Sequence, residues 1–488
     1  MVKKISIDPI SRLEGHGKIE IFLNDDGSVK DCFFQVPELR GFERFVVGRP
    51  IEELPRIVTR ICGVCPAAHH MAAAKAVDGC FGGELAPLAR KLREMYYNAH
   101  YIHSHTAHFY ALAAPDFVCG PTSDPATRNI LGLVAKVGLE IGGKVIRARA
   151  QAQRIQQILG GRFTHVVWCI PGGVSKGLKP EELDKIRPMV DELYDHAHFS
   201  LKLFKDVVLG NKEYVDLILN GPYSLDIQNM GLVGENNTFD IYDGMVRVVD
   251  FQGKEICKYE PKDYMNNVAE HVEPWSYLKF PYLKARGWHG FVEGIDSSIY
   301  MASPLSRLNV ADRMATPEAQ EAFEEMFSTL GGKPVKALLA SHWARLVEMI
   351  QNAEKLKQYV NDPEITSDAY RVIPQKITGE GVGIVEAMRG TLTHHYTCDQ
   401  NGICTSANLV VGTTNNNAPI HMVTKKVAST MIQPGKEPDQ GILNLVEMAF
   451  RSFDPCFSCA THSLPGRMPL EVKIFKHGEL YREFKRNC

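Results

Sequence analysis

Arg60-Ile61-Cys62-Gly63-Val64-Cys65-Pro66-Ala67-Ala68-His69 has a counterpart near the other end of the chain, Asp454-Pro455-Cys456-Phe457-Ser458-Cys459-Ala460-Thr461-His462. Each is a Cys-x-x-Cys with a histidine a few residues downstream, and roughly 390 residues separate them, so only the folded chain can close the distance. Brought together, the two pairs make a pocket of four thiolates. Soft sulfur donors select zinc, iron–sulfur clusters and thiophilic transition metals over magnesium or calcium, which points to a redox or structural metal site. A compact zinc ribbon places its second pair only about 15–20 residues after the first, unlike this chain. A structural zinc protein, whose thiolates merely staple two ends together, stands as the alternative from a different functional class.

The residues around the cysteines narrow the reading. Arg-Ile-Cys-Gly-Val-Cys-Pro-x-x-His and Asp-Pro-Cys-x-x-Cys-x-x-His closely resemble the two metal-binding boxes of the large, catalytic subunit of nickel–iron hydrogenases. Ser11-Arg12-Leu13-Glu14-Gly15-His16, Arg40-Gly41-Phe42-Glu43 and Met388-Arg389-Gly390-Thr391-Leu392 extend the resemblance over nearly the whole chain. It implies an α+β fold, with a long-helix bundle core and small peripheral β-sheets. Residues 1–462 would form one intertwined domain whose two cysteine boxes meet at the metals. The implied activity is reversible heterolytic cleavage of H2 to protons and electrons at nickel and iron, the iron carrying cyanide and carbon monoxide. The family's cousins, the quinone-site subunits of respiratory complex I, lack these cysteines.

Carried over residue by residue, the resemblance makes Cys62 and Cys456 terminal ligands of nickel, with Cys65 and Cys459 bridging nickel to iron. Proton acceptors are the thiolates, Cys456 among them, and then Glu14, which matches the family's proton-relay glutamate. Pairing with Arg12 is the competing account of Glu14. Arg389 matches the arginine held over the open face of the metals, with a salt bridge to Glu386 as its rival reading. His69 is placed to hydrogen-bond a cysteine sulfur, Thr413 to contact a cyanide ligand, and Glu43 with His462 to hold a magnesium or second iron ion. Met388, Ser104 and Gly412 depart from residues common in the family at those places. The resemblance also implies a maturation endopeptidase cutting between His462 and Ser463 to release residues 463–488; a permanent terminal hairpin is the alternative.

Length, the wording of these boxes and Pro50-Ile51-Glu52-Glu53 look most like the cytoplasmic viologen-reducing type associated with heterodisulfide reductase. An NAD(P)-linked cytoplasmic hydrogenase is the nearest alternative. The partners that the resemblance implies are an electron-transfer subunit, heterodisulfide reductase and an iron–sulfur small subunit. The remaining cysteines lie singly, with no ferredoxin-like run, so electrons leaving the pocket must pass to another chain.

Composition agrees with a sizeable core: 488 residues, 44% of them hydrophobic. A net charge of −2 gives no support to nucleic-acid binding or an electrostatic membrane patch. No apolar run is long enough to cross a bilayer and no signal peptide precedes the first strand pattern, giving a soluble, cytoplasmic expectation. Twelve cysteines are too sparse for a disulfide scaffold.

Alternating Ile5 and Ile7, then Ile19, Ile21 and Leu23, predict short strands, with Asn24-Asp25-Asp26-Gly27 as a turn. Ala67–Gly79 reads as a short alanine-rich helix. Long helices are predicted over Pro87–Ala113, from Asp124-Pro125 to Gly160-Gly161, over Pro180–Gly210 and over Pro334–Val360, with a shorter one at Pro317–Leu330. Residues 213–300 read as richer in strands, including a hairpin of Met245–Val249 and Glu255–Tyr259. Val472–Phe475 and Leu480–Phe484 predict a last hairpin about His477-Gly478. His100, His103, His105 and His108 fan around more than one helix face and read as packing and hydrogen-bonding residues rather than a metal site.

Overall fold

Ile19 and Ile21 sit fully buried on the inner face of an antiparallel sheet built from β1 (Lys4–Ile7), β2 (Lys18–Leu23) and β3 (Val29–Gln35). Ile7 faces Ile19 and Cys32 faces Ile21, so the period-two alternation puts the isoleucines on one side. This computed structural model describes residues 4–462, 470–476 and 479–486.

The first cysteine box runs straight into α1 (Pro66–Cys80), whose leading proline occupies a position needing no N–H donor. The bundle follows: α2 (Pro87–Ala107), α3 (Ile130–Val137), α4 (Leu139–Gly160), α5 (Pro180–Phe204) and α6 (Ser341–Val360). Helix α2 packs on α4 and α6, and α5 packs on the same two helices. Tyr96, Tyr97 and Tyr101 of α2 and Trp343 of α6 are fully buried.

All four long helices differ from the sequence reading. The segment from Asp124 to Gly160 is two helices, because Gly138 takes φ +89° between them and Asn129 caps the first through the N–H groups of Leu131 and Gly132. The chain after α2 widens into π-type turns at His108–Ala113 and Pro115–Cys119, where Pro115 cannot supply an α-helical hydrogen bond. A similar turn, Lys205–Leu209, ends α5. Pro334–Ala340 is not α-helical, Ala337 being extended at ψ 99°, and α6 begins at Ser341.

Between α5 and α6 lies a four-stranded sheet of β4 (Gln228–Val233), β5 (Met245–Val249), β6 (Glu255–Tyr259) and β7 (Tyr300–Met301), in the order β7-β4-β5-β6. Its β5–β6 hairpin is the expected one. A three-stranded antiparallel sheet follows, β8 (Glu380–Ala387), β9 (Gly390–Cys398) and β10 (Cys404–Val410), then α7 (Asn417–Met431) and α8 (Gln440–Arg451). Helix α1 lies so tightly on β8 that a Cβ on Gly383 would fall 2.0 Å from the Ala72 carbonyl oxygen, and one on Gly381 1.9 Å from that of Ala76. The terminal hairpin, β11 (Leu470–Lys476) with β12 (Glu479–Arg486), is antiparallel.

The chain ends are sewn together at the cysteines. Phe457 N–H donates to the Glu14 carbonyl (3.0 Å), while Arg40 N–H and Phe42 N–H donate to the carbonyls of Thr461 (2.8 Å) and His462 (2.6 Å). Gly15, at φ +89°, lets the first of these segments approach: a Cβ there would lie 2.9 Å from Ser458 N. The second cysteine box is thereby clasped between two N-terminal segments. Buried residues from both ends share one core.

Candidate metal centre

Cys62, Cys65, Cys456 and Cys459 place their sulfur atoms within 4.8 Å of one another, all buried. Cys62 Sγ is 3.1 Å from Cys456 Sγ, Cys65 Sγ 3.1 Å from Cys459 Sγ, and Cys456 Sγ 2.9 Å from Cys459 Sγ. Each pair comes from a turn leading into a helix: Cys65 precedes α1, and Cys456 precedes the single turn Phe457–Ala460. In the first box the N–H groups of Val64 and Cys65 point at Cys62 Sγ, at 3.2 and 3.3 Å, an arrangement that favours a thiolate. Burial opposes ionisation of Cys62, yet hydrogen bonds from the neighbouring thiols hold its pKa well below the ordinary value. Burial pushes the thiols of Cys456 and Cys459 well up. A buried cluster of this kind stays partly protonated until cations displace the protons.

Glu14 reaches into this pocket. Its Oε2 lies 2.9 Å from Cys456 Sγ and accepts from Ser458 N–H at 3.1 Å. Burial, and then the charge of Cys62, raise its pKa. Arg12 does not pair with it; the guanidinium turns to Asp116 and to the Leu112 carbonyl.

Arg389 is buried, with Nη2 2.8 Å from Asp454 Oδ2 and Nη1 donating to Ser104 Oγ at 3.2 Å. Burial opposes its charge, but Asp454 and the thiols of Cys456, Cys65 and Cys62 hold its pKa above the ordinary value. Glu386, the rival partner, is taken by Arg307 and by the N–H of Leu232. Asp454 is thus the anchor of Arg389, and His108 contacts its other oxygen at 3.1 Å.

His69 sets Nε2 3.4 Å from Cys459 Sγ, and its Nδ1 lies 3.1 Å from His394 Nε2. Burial lowers its pKa to about 4, so the ring is neutral at pH 7. Thr413 Oγ1 accepts the N–H of Cys456 at 3.0 Å, which ties it to the second box. Arg40 contacts the carbonyls of Ile61 and Ser458, bridging the two boxes.

Beyond His462 lies a second group of donors. Its Nε2 is 2.6 Å from the Leu409 carbonyl oxygen and 4.0 Å from Glu43 Oε1. Burial raises Glu43 to about 7, against the opposing pull of Lys279. Of the clustered histidines, His100 pairs with Gln156 and His105 with Glu348, while His108 lies against His342 as well as Asp454.

The sequence profile of the nickel-dependent hydrogenase family matches residues 40–123 and 144–462, and a profile described as HoxL-like matches residues 4–39. The chain belongs to the nickel-dependent hydrogenase family. It is 47% identical to an F420-non-reducing hydrogenase iron-sulfur subunit of Archaeoglobus profundus, over 99% of this chain and 100% of that protein. It is 43% identical to an F420-non-reducing hydrogenase subunit of Methanothermobacter marburgensis, over 96% of each. The fold superposes on a crystal structure of an NAD+-reducing [NiFe]-hydrogenase with TM-score 0.88 and 36% identity, covering 94% of this chain and 99% of that one. The protein is accordingly the catalytic subunit of a nickel–iron hydrogenase, with nickel and iron as its metals and other hydrogenase subunits as its partners. The four convergent sulfurs, soft and able to be shared between ions, fit such a pair.

Several participants escaped the sequence reading. Asp454 was in plain view beside Pro455-Cys456, and a buried arginine nearby demands such a carboxylate. Arg40, adjoining the Gly-Phe-Glu motif, was equally visible. His394 and the Leu409 carbonyl carry no local sequence signal. No helix among the described residues is long and apolar enough to cross a membrane.

Proposed function

We propose that Cys62 and Cys456 bind nickel terminally, that Cys65 and Cys459 bridge it to iron, and that the iron carries cyanide and carbon monoxide. The observation that carries the mechanism is the Glu14 carboxylate lying 2.9 Å from Cys456 Sγ inside the thiol pocket. The bound nickel–iron pair supplies the chemistry that splits H2. Cys456 sulfur receives the proton and hands it to Glu14 without side-chain movement, since the two atoms already lie at hydrogen-bond distance. The raised pKa of Glu14 suits a group that takes up a proton and releases it again. Arg389, fixed by Asp454 and Ser104, keeps a positive charge beside the thiols, where it polarises H2 and opposes loss of the thiolates' charge. His69 donates to Cys459 sulfur, and Thr413 fixes the backbone of Cys456 while its hydroxyl hydrogen remains available to a cyanide nitrogen.

Glu43, His462 and the Leu409 carbonyl hold a magnesium ion or a second iron. This donor set is hard enough for magnesium, and a cation there would relieve the burial of the Glu43 charge. Residues 1–462 act as one intertwined domain. Maturation cleaves after His462; Ser463 and the residues to 469 lie outside the described residues.

Electrons pass to an iron–sulfur small subunit, through an electron-transfer subunit, to heterodisulfide reductase in the cytoplasm. The F420-non-reducing relatives support this assignment. NAD(P)+ is the second reading, supported by the likeness to the NAD+-reducing enzyme. The complex purified with its partners decides between them: H2-dependent reduction of a disulfide by added heterodisulfide reductase, with no reduction of NAD+ or NADP+, is the expected result. Direct reduction of either nucleotide would overturn it.

A further inference from the structure

Three cysteines outside the metal centre gather at the opposite end of α1. Cys65 precedes that helix and Cys80 ends it, so about 22 Å of helix at ~1.5 Å per residue lies between the centre and this second group. Cys398 ends β9, Cys404 begins β10, and the two are register partners across the hairpin. The dipeptide Thr378-Gly379 ties Cys80 to Cys398: Thr378 N–H donates to the Cys80 carbonyl (2.7 Å), and Cys398 N–H donates to the Gly379 carbonyl (2.8 Å). The Cys80 thiol points into this seam, 3.7 Å from the Tyr396 carbonyl oxygen, and lies within hydrogen-bonding reach of the Cys398 thiol. Cys404 directs its own thiol to the Ser406 carbonyl at 3.4 Å. Cys80 is buried and Cys398 is partly exposed.

We propose that Cys80 and Cys398 form a dithiol modification site, which low-molecular-weight disulfides oxidise to a Cys80–Cys398 disulfide. Cys398, the accessible member, gives up its proton to water and attacks one sulfur of the small disulfide. That S–S bond breaks, a mixed disulfide forms on Cys398, and the expelled thiolate takes up a proton. Cys80 then loses its proton and attacks the Cys398 sulfur, which forms the protein disulfide and releases the second small thiol. Two protein thiols are oxidised and one small disulfide is reduced to two thiols. Burial raises the pKa of both cysteines, so the reaction quickens as pH rises. The bond fastens the far end of α1 to the sheet that carries His394 and Leu409. It closes the scaffold behind the metal centre covalently while leaving every proposed metal ligand untouched.

The test uses the purified hydrogenase complex, incubated without oxygen with cystamine at mildly alkaline pH, then denatured, alkylated and digested for mass spectrometry. The expected product joins the Cys80 and Cys398 peptides, lighter than the two together by two hydrogen atoms, with Cys404 alkylated. In Cys80→Ser the cross-link is lost and Cys398 retains a cysteamine half. In Cys398→Ser, a change at the partly exposed position, Cys80 remains a free thiol. A Cys398–Cys404 link, or alkylation of all three thiols after incubation, would overturn the proposal.

Discussion

Replacing Glu14 by glutamine isolates proton transfer from packing. The amide keeps the side chain's length and one carbonyl oxygen, which continues to accept the Ser458 N–H now 3.1 Å from Glu14 Oε2. The bridge to the second cysteine box uses the Glu14 backbone, Phe457 N–H to Glu14 O at 3.0 Å, and is unaffected. The folding cost should therefore stay within about 1 kcal/mol. What disappears is the carboxylate 2.9 Å from Cys456 Sγ. A positioned acid–base group contributes roughly 10²- to 10⁴-fold, or about 3–5 kcal/mol of barrier. H2 oxidation with a viologen acceptor should fall by that factor while nickel and iron content stay at the unmutated level. Full turnover by a metal-replete variant would refute the relay, and loss of metal together with rate would make Glu14 a structural residue.

Arg389→Lys keeps the charge but loses the fork that spans Asp454 and Ser104, so H2 oxidation should drop about 10²-fold, measured beside metal content. His69→Phe removes the contact to Cys459 and should cost about 10- to 100-fold in activity or metal retention, read by metal analysis and turnover together. Glu43→Gln should release the second ion, lowering magnesium or extra iron in elemental analysis while nickel remains. Stability should rise with pH between about 4.5 and 6.5 in urea titrations. Burial lowers His70, His100, His196 and His421 to about 4 and His103 to about 3, so between these values and 6.5 the unfolded chain binds protons that the folded chain refuses. Glu43 and Glu386, raised to about 7, and Asp240, raised to about 6, act in the opposite sense but are fewer. A flat or falling profile would contradict this balance.

The cysteine boxes were legible because metal-binding cysteines come in short fixed spacings, and the isoleucine alternation of β1 and β2 because one sheet face is buried. Helix starts at Pro87, Pro180 and Pro317 were equally plain, since proline marks the first turn, whereas the helix read from Ala67 begins one residue earlier, at Pro66. Helix interruptions were not: Gly138 is one of many glycines, and only its φ of +89° shows that it ends a helix. The tight contact of α1 on β8 likewise depends on Gly381 and Gly383 meeting a helix more than 300 positions earlier in the chain. At the site, the rival partners suggested by proximity in sequence, Arg12 for Glu14 and Glu386 for Arg389, both lost to distant residues. Asp116 and Asp454 are brought in by the fold, and burial makes those ion pairs obligatory.

Metal analysis of the protein, purified with its native partners and maturation factors, tests the central claim most directly when an infrared spectrum is taken on the same sample. Nickel with at least as much iron, together with bands of metal-bound cyanide and carbon monoxide, is the predicted result. Zinc alone in a matured chain, with no such bands, would contradict it and leave the four cysteines as a structural staple.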